Sequence, residues 1–246
     1  MKIAIAGGTG VVGAPTVQAV RNAGHEAVVL SRSRGVDLIT ATGLDSALDS
    51  VDAVIDTANV STMKAEVATE FFTTATGNLM RAAAETGVGH IVLLSIVGID
   101  RMPHEYYAGK VAQEKVFEAS PVPWTIQRAT QFHEFAGQIF ERAKIGSFHI
   151  APRARTQPIA ARDVGERLAA LAVGDPQSRA QDIAGPREEA LDAMIKAFAR
   201  KTGHRGWIPS VNLPTAQMKG MRAGFALPGT DALLLGPTFE GWLATH

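Results

Sequence analysis

One short stretch near the start constrains this chain most. Residues 3–6, Ile-Ala-Ile-Ala, form an apolar run, and Gly7-Gly8-Thr9-Gly10-Val11-Val12-Gly13 follows at once. Residues 12–23 then carry apolar side chains at three- and four-residue spacing, the period of a helix. Glycines in this spacing mean little alone; a strand before them and a helix after them give them meaning. There, Gly7 permits a tight turn, Gly10 lets backbone approach a pyrophosphate, and Gly13 lets helix and strand pack closely. The helix N-terminus adds amide donors and the positive end of its dipole. Gly7, Thr9, Gly10, Val11, Val12 and Gly13 are therefore expected to contact a dinucleotide. The loop lacks the Gly-Lys-Ser/Thr ending of a triphosphate-binding loop, which argues against a nucleotide triphosphatase.

The pattern continues through residue 130. Residues 3–6, 27–30, 53–56, 91–95 and 125–127 read as buried strands, with 36–39 a weaker one. Residues 12–23, 66–86 and 105–119 read as helices, and Gly24 and Gly87 sit where left-handed caps are wanted. Alternation of this kind predicts an α/β, Rossmann-type doubly wound parallel sheet with helices on both faces. Beyond residue 130 the rhythm loosens. Residues 163–173, with Asp163 as N-cap, and 188–202 read as helices. Residues 204–237 are broken by Pro209, Pro214, Pro228 and Pro237 and suit a small C-terminal substrate-capping region. The expected division is a dinucleotide-binding core over 1–155 and a substrate-side region of the same domain over 156–246.

The dinucleotide follows from the end of the second strand. An NAD site usually has an acid there for the ribose diol. This chain has Ser31-Arg32-Ser33-Arg34 instead, and a guanidinium pairs well with a 2′-phosphate. NADP(H) is the expected cofactor, with Arg32 and Ser31 on the phosphate, Arg34 assisting, and Asp37-Leu38 near the adenine.

The chain has only two tyrosines, Tyr106 and Tyr107. Lys110 lies four residues after Tyr106, on the same helical face. A phenol of pKa near 10 gains phenolate character only when a cation stands close, which Lys110 is expected to supply while also holding the nicotinamide ribose. Ser95 ends the 91–95 strand, at the carboxyl edge where ligands bind in open α/β sheets. Its hydroxyl is expected to hold a substrate carbonyl beside Tyr106, so that proton and hydride reach opposite ends of one C=O bond.

Gly7-x-x-Gly10-x-x-Gly13, Ser95 and Tyr106-x-x-x-Lys110, in that order, resemble the short-chain dehydrogenase/reductase superfamily. Residues 7–13, 91–98, 123–132 and 158–164 resemble its atypical NAD(P)H-binding, NmrA-like branch, which includes quinone and azo reductases; the resemblance spans about residues 1–175. It implies that Thr57, Ala58 and Asn59 line the adenosine ribose. It also implies that Ala129 and Thr130 lie against the nicotinamide, with Gln131 and Phe132 toward the substrate. Asn78 is closer to Ser95 than the superfamily's catalytic Asn usually is, and is a weaker proton-relay candidate. The expected activity is NADPH-dependent hydride transfer to a small carbonyl, quinone or related electrophile, with Tyr106 as acid/base. The alternatives are a non-catalytic NADP(H)-binding redox sensor and an NAD(P)-dependent epimerase or dehydratase.

Composition removes other classes. Lys+Arg 24 against Asp+Glu 24 leaves no basic field for nucleic acid or a membrane surface. No cysteine is present, which excludes thiolate metal sites and a cysteine nucleophile. His104-Glu105 and His133-Glu134 lack the second histidine of a His-Glu-x-x-His site, so no metal is expected; His133 reads either as facing the substrate or as a surface residue. The apolar opening is too short for a signal peptide and no apolar run reaches about 18 residues, so a cytoplasmic monomer or homodimer acting on a small molecule is expected.

Overall fold

A computed structural model describes residues 1–145 and 148–245. Its frame is one eight-stranded sheet. The strands are β1 (Lys2–Ala6), β2 (Glu26–Leu30), β3 (Ala53–Asp56), β4 (His90–Ile96), β5 (Trp124–Ala129), β6 (Ser178–Arg179), β7 (Ile183–Ala184) and β8 (Leu233–Leu234). Their order is β8-β7-β5-β4-β3-β1-β2, β6 also lies beside β5, and every pairing is parallel. Ala6 stands opposite both Leu30 and Asp56, so the loops leaving β1, β2 and β3 emerge level with one another.

Alternation along β1 sorts the two faces. Ile3 and Ile5 pack with α1 (Gly13–Asn22) and α5 (Ala161–Val173); Ala4 and Ala6 pack with α2 (Ala65–Thr86) and α3 (Tyr106–Glu118). Phe72, Leu79 and Phe117 are fully buried on the second face, each worth roughly 2 kcal/mol of transfer free energy. Gly109 brings α3 onto α2, because a Cβ there would stand 2.6 Å from the Ala68 carbonyl carbon. That crossing fixes the height of Tyr106 and Lys110 above the sheet.

A third core lies past the carboxyl ends of β4 and β5. It gathers Ile99, Met102 and Tyr107 with α4 (Phe135–Arg142), α6 (Leu191–Lys201), α7 (Ala216–Arg222) and α8 (Phe239–Thr245). Two-residue pairings, Ala151–Pro152 with Ser210–Val211 and Arg155–Thr156 with Glu189–Ala190, tie it together. Among the described residues no helix is long and apolar enough to cross a membrane.

Three local expectations are corrected. Residues 36–39 form a turn, because the Asp37 carboxylate accepts from the amides of Ile39 (2.7 Å) and Thr40 (3.3 Å). Helix α5 starts two residues before Asp163. Its first amide, Ala161, donates to the carboxylate of Glu134, so a distant acid caps the helix. His133 is fully buried, its ring against Phe239 and Trp242, and is no surface residue.

Candidate functional site

The chain leaves β1 toward β2 on one side, while β3 joins β1 on the other. This switch point opens a crevice at the carboxyl edge. Gly7 sits at its base with φ +71°, and a Cβ there would come within 2.7 Å of the Thr57 carbonyl oxygen. A Cβ on Gly13 would collide with the Gly7 carbonyl. The amides of Thr9, Val11 and Val12 have no partner among the described residues, the arrangement that receives an anion at a helix start. On the opposite wall the Thr57 hydroxyl donates to the Ala6 carbonyl (2.7 Å), and the Ala58 amide donates to Asp56 Oδ1 (2.9 Å). The ribose-lining candidates are thus held by the ends of β1 and β3.

Beyond the glycine loop, Arg32–Arg34 form one 3-10 turn after β2, and Ser31 lies beside Ser33 (3.1 Å). Arg32 and Arg34 are exposed and make no ion pair among the described residues. A pocket of about 300 Å³ at this corner is lined by Gly8, Thr9, Gln18, Arg21 and Arg34, with no acid. Arg34, not Arg32, is the turn residue that lines it. Asp37 closes its own turn, and Asn78 Nδ2 donates to the carbonyls of Leu38 (2.8 Å) and Ile39 (2.9 Å). Asn78 therefore fastens the 37–42 loop to α2.

Tyr106 opens α3 after Glu105, whose φ of +54° is unusual for a side-chain-bearing residue. Its hydroxyl donates to Asn59 Oδ1 at 2.7 Å, joining α3 to the loop after β3. Lys110 is 4% exposed and turns inward. Its Nζ donates to the Leu94 carbonyl (2.8 Å) and Gln113 Oε1 (2.5 Å), and lies 4.8 Å over the Phe72 ring. Phe72 also meets Tyr106 edge-on at 5.6 Å. Tyr106 and Lys110 thus share a ring but no hydrogen bond. Burial brings Lys110 down to about 8, against the pull of Asp56 and Glu114. Burial, helped by Tyr107, pushes the Tyr106 phenol up. The Lys110 ammonium is bonded toward β4 and Gln113, away from the Tyr106 hydroxyl that it is expected to serve.

Ser95 has the same inward commitment. Residues 91, 93 and 95 face α3, so the Ser95 hydroxyl donates to Glu114 Oε1 at 2.5 Å. Arg128 and Arg179 bind the same carboxylate at 2.6 and 2.9 Å. Burial would raise the Glu114 carboxyl, but these partners hold it below the usual range. No hydrogen bond joins Ser95 to Tyr106 or Lys110 among the described residues.

At the end of β5 Ala129 is buried, and the hydroxyl of Thr130, the next residue, donates to the Gln157 carbonyl (2.5 Å). Phe132 bridges to Ile159. Gln131 accepts from Thr156 (2.8 Å) and donates to the Tyr107 hydroxyl (3.4 Å). Gln131, by that bond, and the nearby buried Gln217 both oppose the burial-driven rise in the Tyr107 pKa. Sequence reasoning missed Tyr107, Thr156 and Gln217 as one buried polar group. It also missed the Asp56–Gln113–Thr76 chain, in which Gln113 Nε2 donates to both partners at 3.0 Å. An acid ending the apolar strand 53–56 was a visible signal for Asp56; Gln217 had none. Among the described residues no cluster of three or more His, Asp or Glu offers a metal site.

The sequence profile described as NAD(P)H-binding matches residues 7–172, about two thirds of the chain. Among solved structures, the chain is similar to UDP-N-acetylglucosamine 4-epimerase from Bacillus cereus. That match has 18% identity and TM-score 0.71, covering 100% of this chain and 94% of that one. It is also similar to the NADPH-dependent quinone oxidoreductase QOR2 from Escherichia coli complexed with NADPH, at 17% identity and TM-score 0.72, covering 99% of each chain. A third similar structure is MoeE5 in complex with UDP-glucuronic acid and NAD. Its values are 17% identity and TM-score 0.74, with 100% of this chain and 97% of that one covered. At these identities the likeness is one of fold. No curated protein matches.

Proposed function

From a chain that belongs to the NAD(P)H-binding family, we propose an NADPH-dependent oxidoreductase that reduces a small carbonyl, quinone or related electrophile, with Tyr106 as proton donor. The observation that carries this reading is the Tyr106 hydroxyl at the crevice, 2.7 Å from Asn59 on the wall opposite the free loop amides. The crevice residues fit a dinucleotide. Thr9, Val11 and Val12 present amides to a pyrophosphate, and Ser31, Arg32 and Arg34 offer an acid-free cationic turn to a 2′-phosphate. When bound, the cofactor supplies hydride.

The protein's part is proton placement. A phenol raised by burial stays protonated at neutral pH, which suits it to give a proton to oxygen that gains charge. Asn59 Oδ1 aims that proton until a substrate oxygen replaces it. Lys110 and Ser95 act as positioning groups: the first fixes α3 to β4 through Leu94, the second fixes it through Glu114. Ala129, Thr130, Gln131 and Phe132 form the shelf on which nicotinamide and substrate meet.

NADPH oxidation across a carbonyl and quinone panel, with wild type and Tyr106→Phe, tests the reading. The variant is expected to lose about 10²-fold or more in kcat with its fold intact; equal rates remove Tyr106 from the chemistry. A second reading, a regulator that binds NADP(H) without turnover, is favoured by the inward commitment of Ser95 and Lys110. No turnover on any substrate, with unequal affinities for NADP⁺ and NADPH, would select it.

A further inference from the structure

The C-terminal end of α6 carries a pocket of about 580 Å³ that shares no residue with the crevice. Lys196, Arg200, His204, Arg205, Trp207 and Ile208 line it, and no acid does. Lys196 is committed, donating to Ser210 Oγ at 2.5 Å with Asp192 3.9 Å away. The side chains of Arg200 and Arg205 are exposed and have no hydrogen-bond or ion-pair partner among the described residues. Trp207 is 77% exposed, a large indole left in water between a buried isoleucine and two free guanidinium groups. Single exposed aliphatics are common on surfaces; a tryptophan open to this degree beside unpaired cations is not.

The backing of the pocket is built. Gly203, at φ +85°, reverses the chain, and the His204 amide returns to the Ala199 carbonyl at 2.9 Å, folding residues 203–208 over the helix end. The His204 ring meets Phe140 at 5.3 Å and His149 at 5.0 Å, and Phe140 stacks on His149 at 4.3 Å. Ile208 is buried and anchors the far side. The helix end itself presents carbonyls, so attraction for an anion comes from the side chains alone.

We propose that this pocket is a second ligand site for a planar aromatic ring bearing phosphate, of the mononucleotide class. Guanidinium groups take phosphate oxygens in paired hydrogen bonds, and an open indole face stacks on a planar base. Either feature alone fits many ligands; together, without an acid, they select a ring and an anion in one molecule.

The test uses the full chain carrying one equivalent of NADP⁺, enough to fill the crevice without flooding a second nucleotide site, and AMP as probe. Binding is read by calorimetry and by quenching of Trp207 fluorescence, with adenosine, ribose 5-phosphate and inorganic phosphate as separate arms. AMP is expected to bind saturably, at least about tenfold tighter than any of the three fragments. Arg200→Ala with Arg205→Ala should weaken it at least about tenfold, and Trp207→Phe should abolish the quenching and weaken the calorimetric affinity. All substituted residues are exposed, so the fold persists, as circular dichroism will verify. Absence of saturable AMP binding, affinity unmoved by the arginine variants, or phosphate alone binding as tightly as AMP would each overturn the proposal.

Discussion

Residues 1–130 and the region beyond them bury different chemistry. The first part encloses Asp56, Lys110 and Glu114, each almost fully buried and each tied to a named partner. Among the described residues the second part buries no Asp, Glu, Lys or Arg. Its core is held by aliphatics, rings and neutral amides such as Gln131 and Gln217, with its free cations outside. The first part is thus electrostatically strung and should respond to pH; the second should respond to volume.

Four measurements sharpen or break that contrast. The largest effect is expected from Glu114→Ala, which leaves Arg128 half-buried without its inner partner and frees the Ser95 hydroxyl. Breaking such a pair typically costs about 3–5 kcal/mol, readable by urea unfolding. Trp242→Ala should cost about 3 kcal/mol by emptying the space beside His133 and Phe239, with the same loss at every pH between 6 and 9 on the order of measurement error. A strong pH dependence there would blur the division.

Lys110→Met should act through pH. The folded-state pKa of about 8 lies below the ordinary lysine value, so between the two the unfolded chain binds more protons. Wild-type stability should therefore gain up to about 3 kcal/mol from this residue as pH rises through that window. The variant should lack the gain, so a constant wild-type-minus-variant difference in thermal midpoint would contradict it. The smallest effect is expected from Arg32→Ala and Arg34→Ala. Each should narrow the NADPH-over-NADH affinity ratio by about tenfold or less and leave stability within about 0.5 kcal/mol. If only Arg34→Ala does so, the pocket beside Thr9 and Gly8 holds the phosphate and Arg32 is solvated.

The same contrast explains what was legible in the sequence. Strand and helix of the first part announce themselves because apolar runs and helical spacing set their burial directly. The glycine loop is legible for the same reason, since Gly7 and Gly13 are fixed by backbone contacts that admit no side chain. What escaped is long-range polar choice. Nothing local shows that Glu134 caps α5 across 27 residues, or that Ser95 answers to Glu114 rather than to Tyr106. Helical spacing rightly put Tyr106 and Lys110 on one face, yet four methylenes let the ammonium reach the Leu94 carbonyl instead. Residues 204–237 gave no periodicity to interpret because one seven-residue helix, two-residue pairings and turns hold them.

The brevity of β8 has a consequence for life in a crowded solution. A parallel sheet grows by templating on an open edge, and this edge offers only Leu233 and Leu234, both exposed. Two residues present too few backbone groups to register a passing strand. On this side the sheet therefore ends in a blunt border, and the five-residue β2 is left as its longer edge.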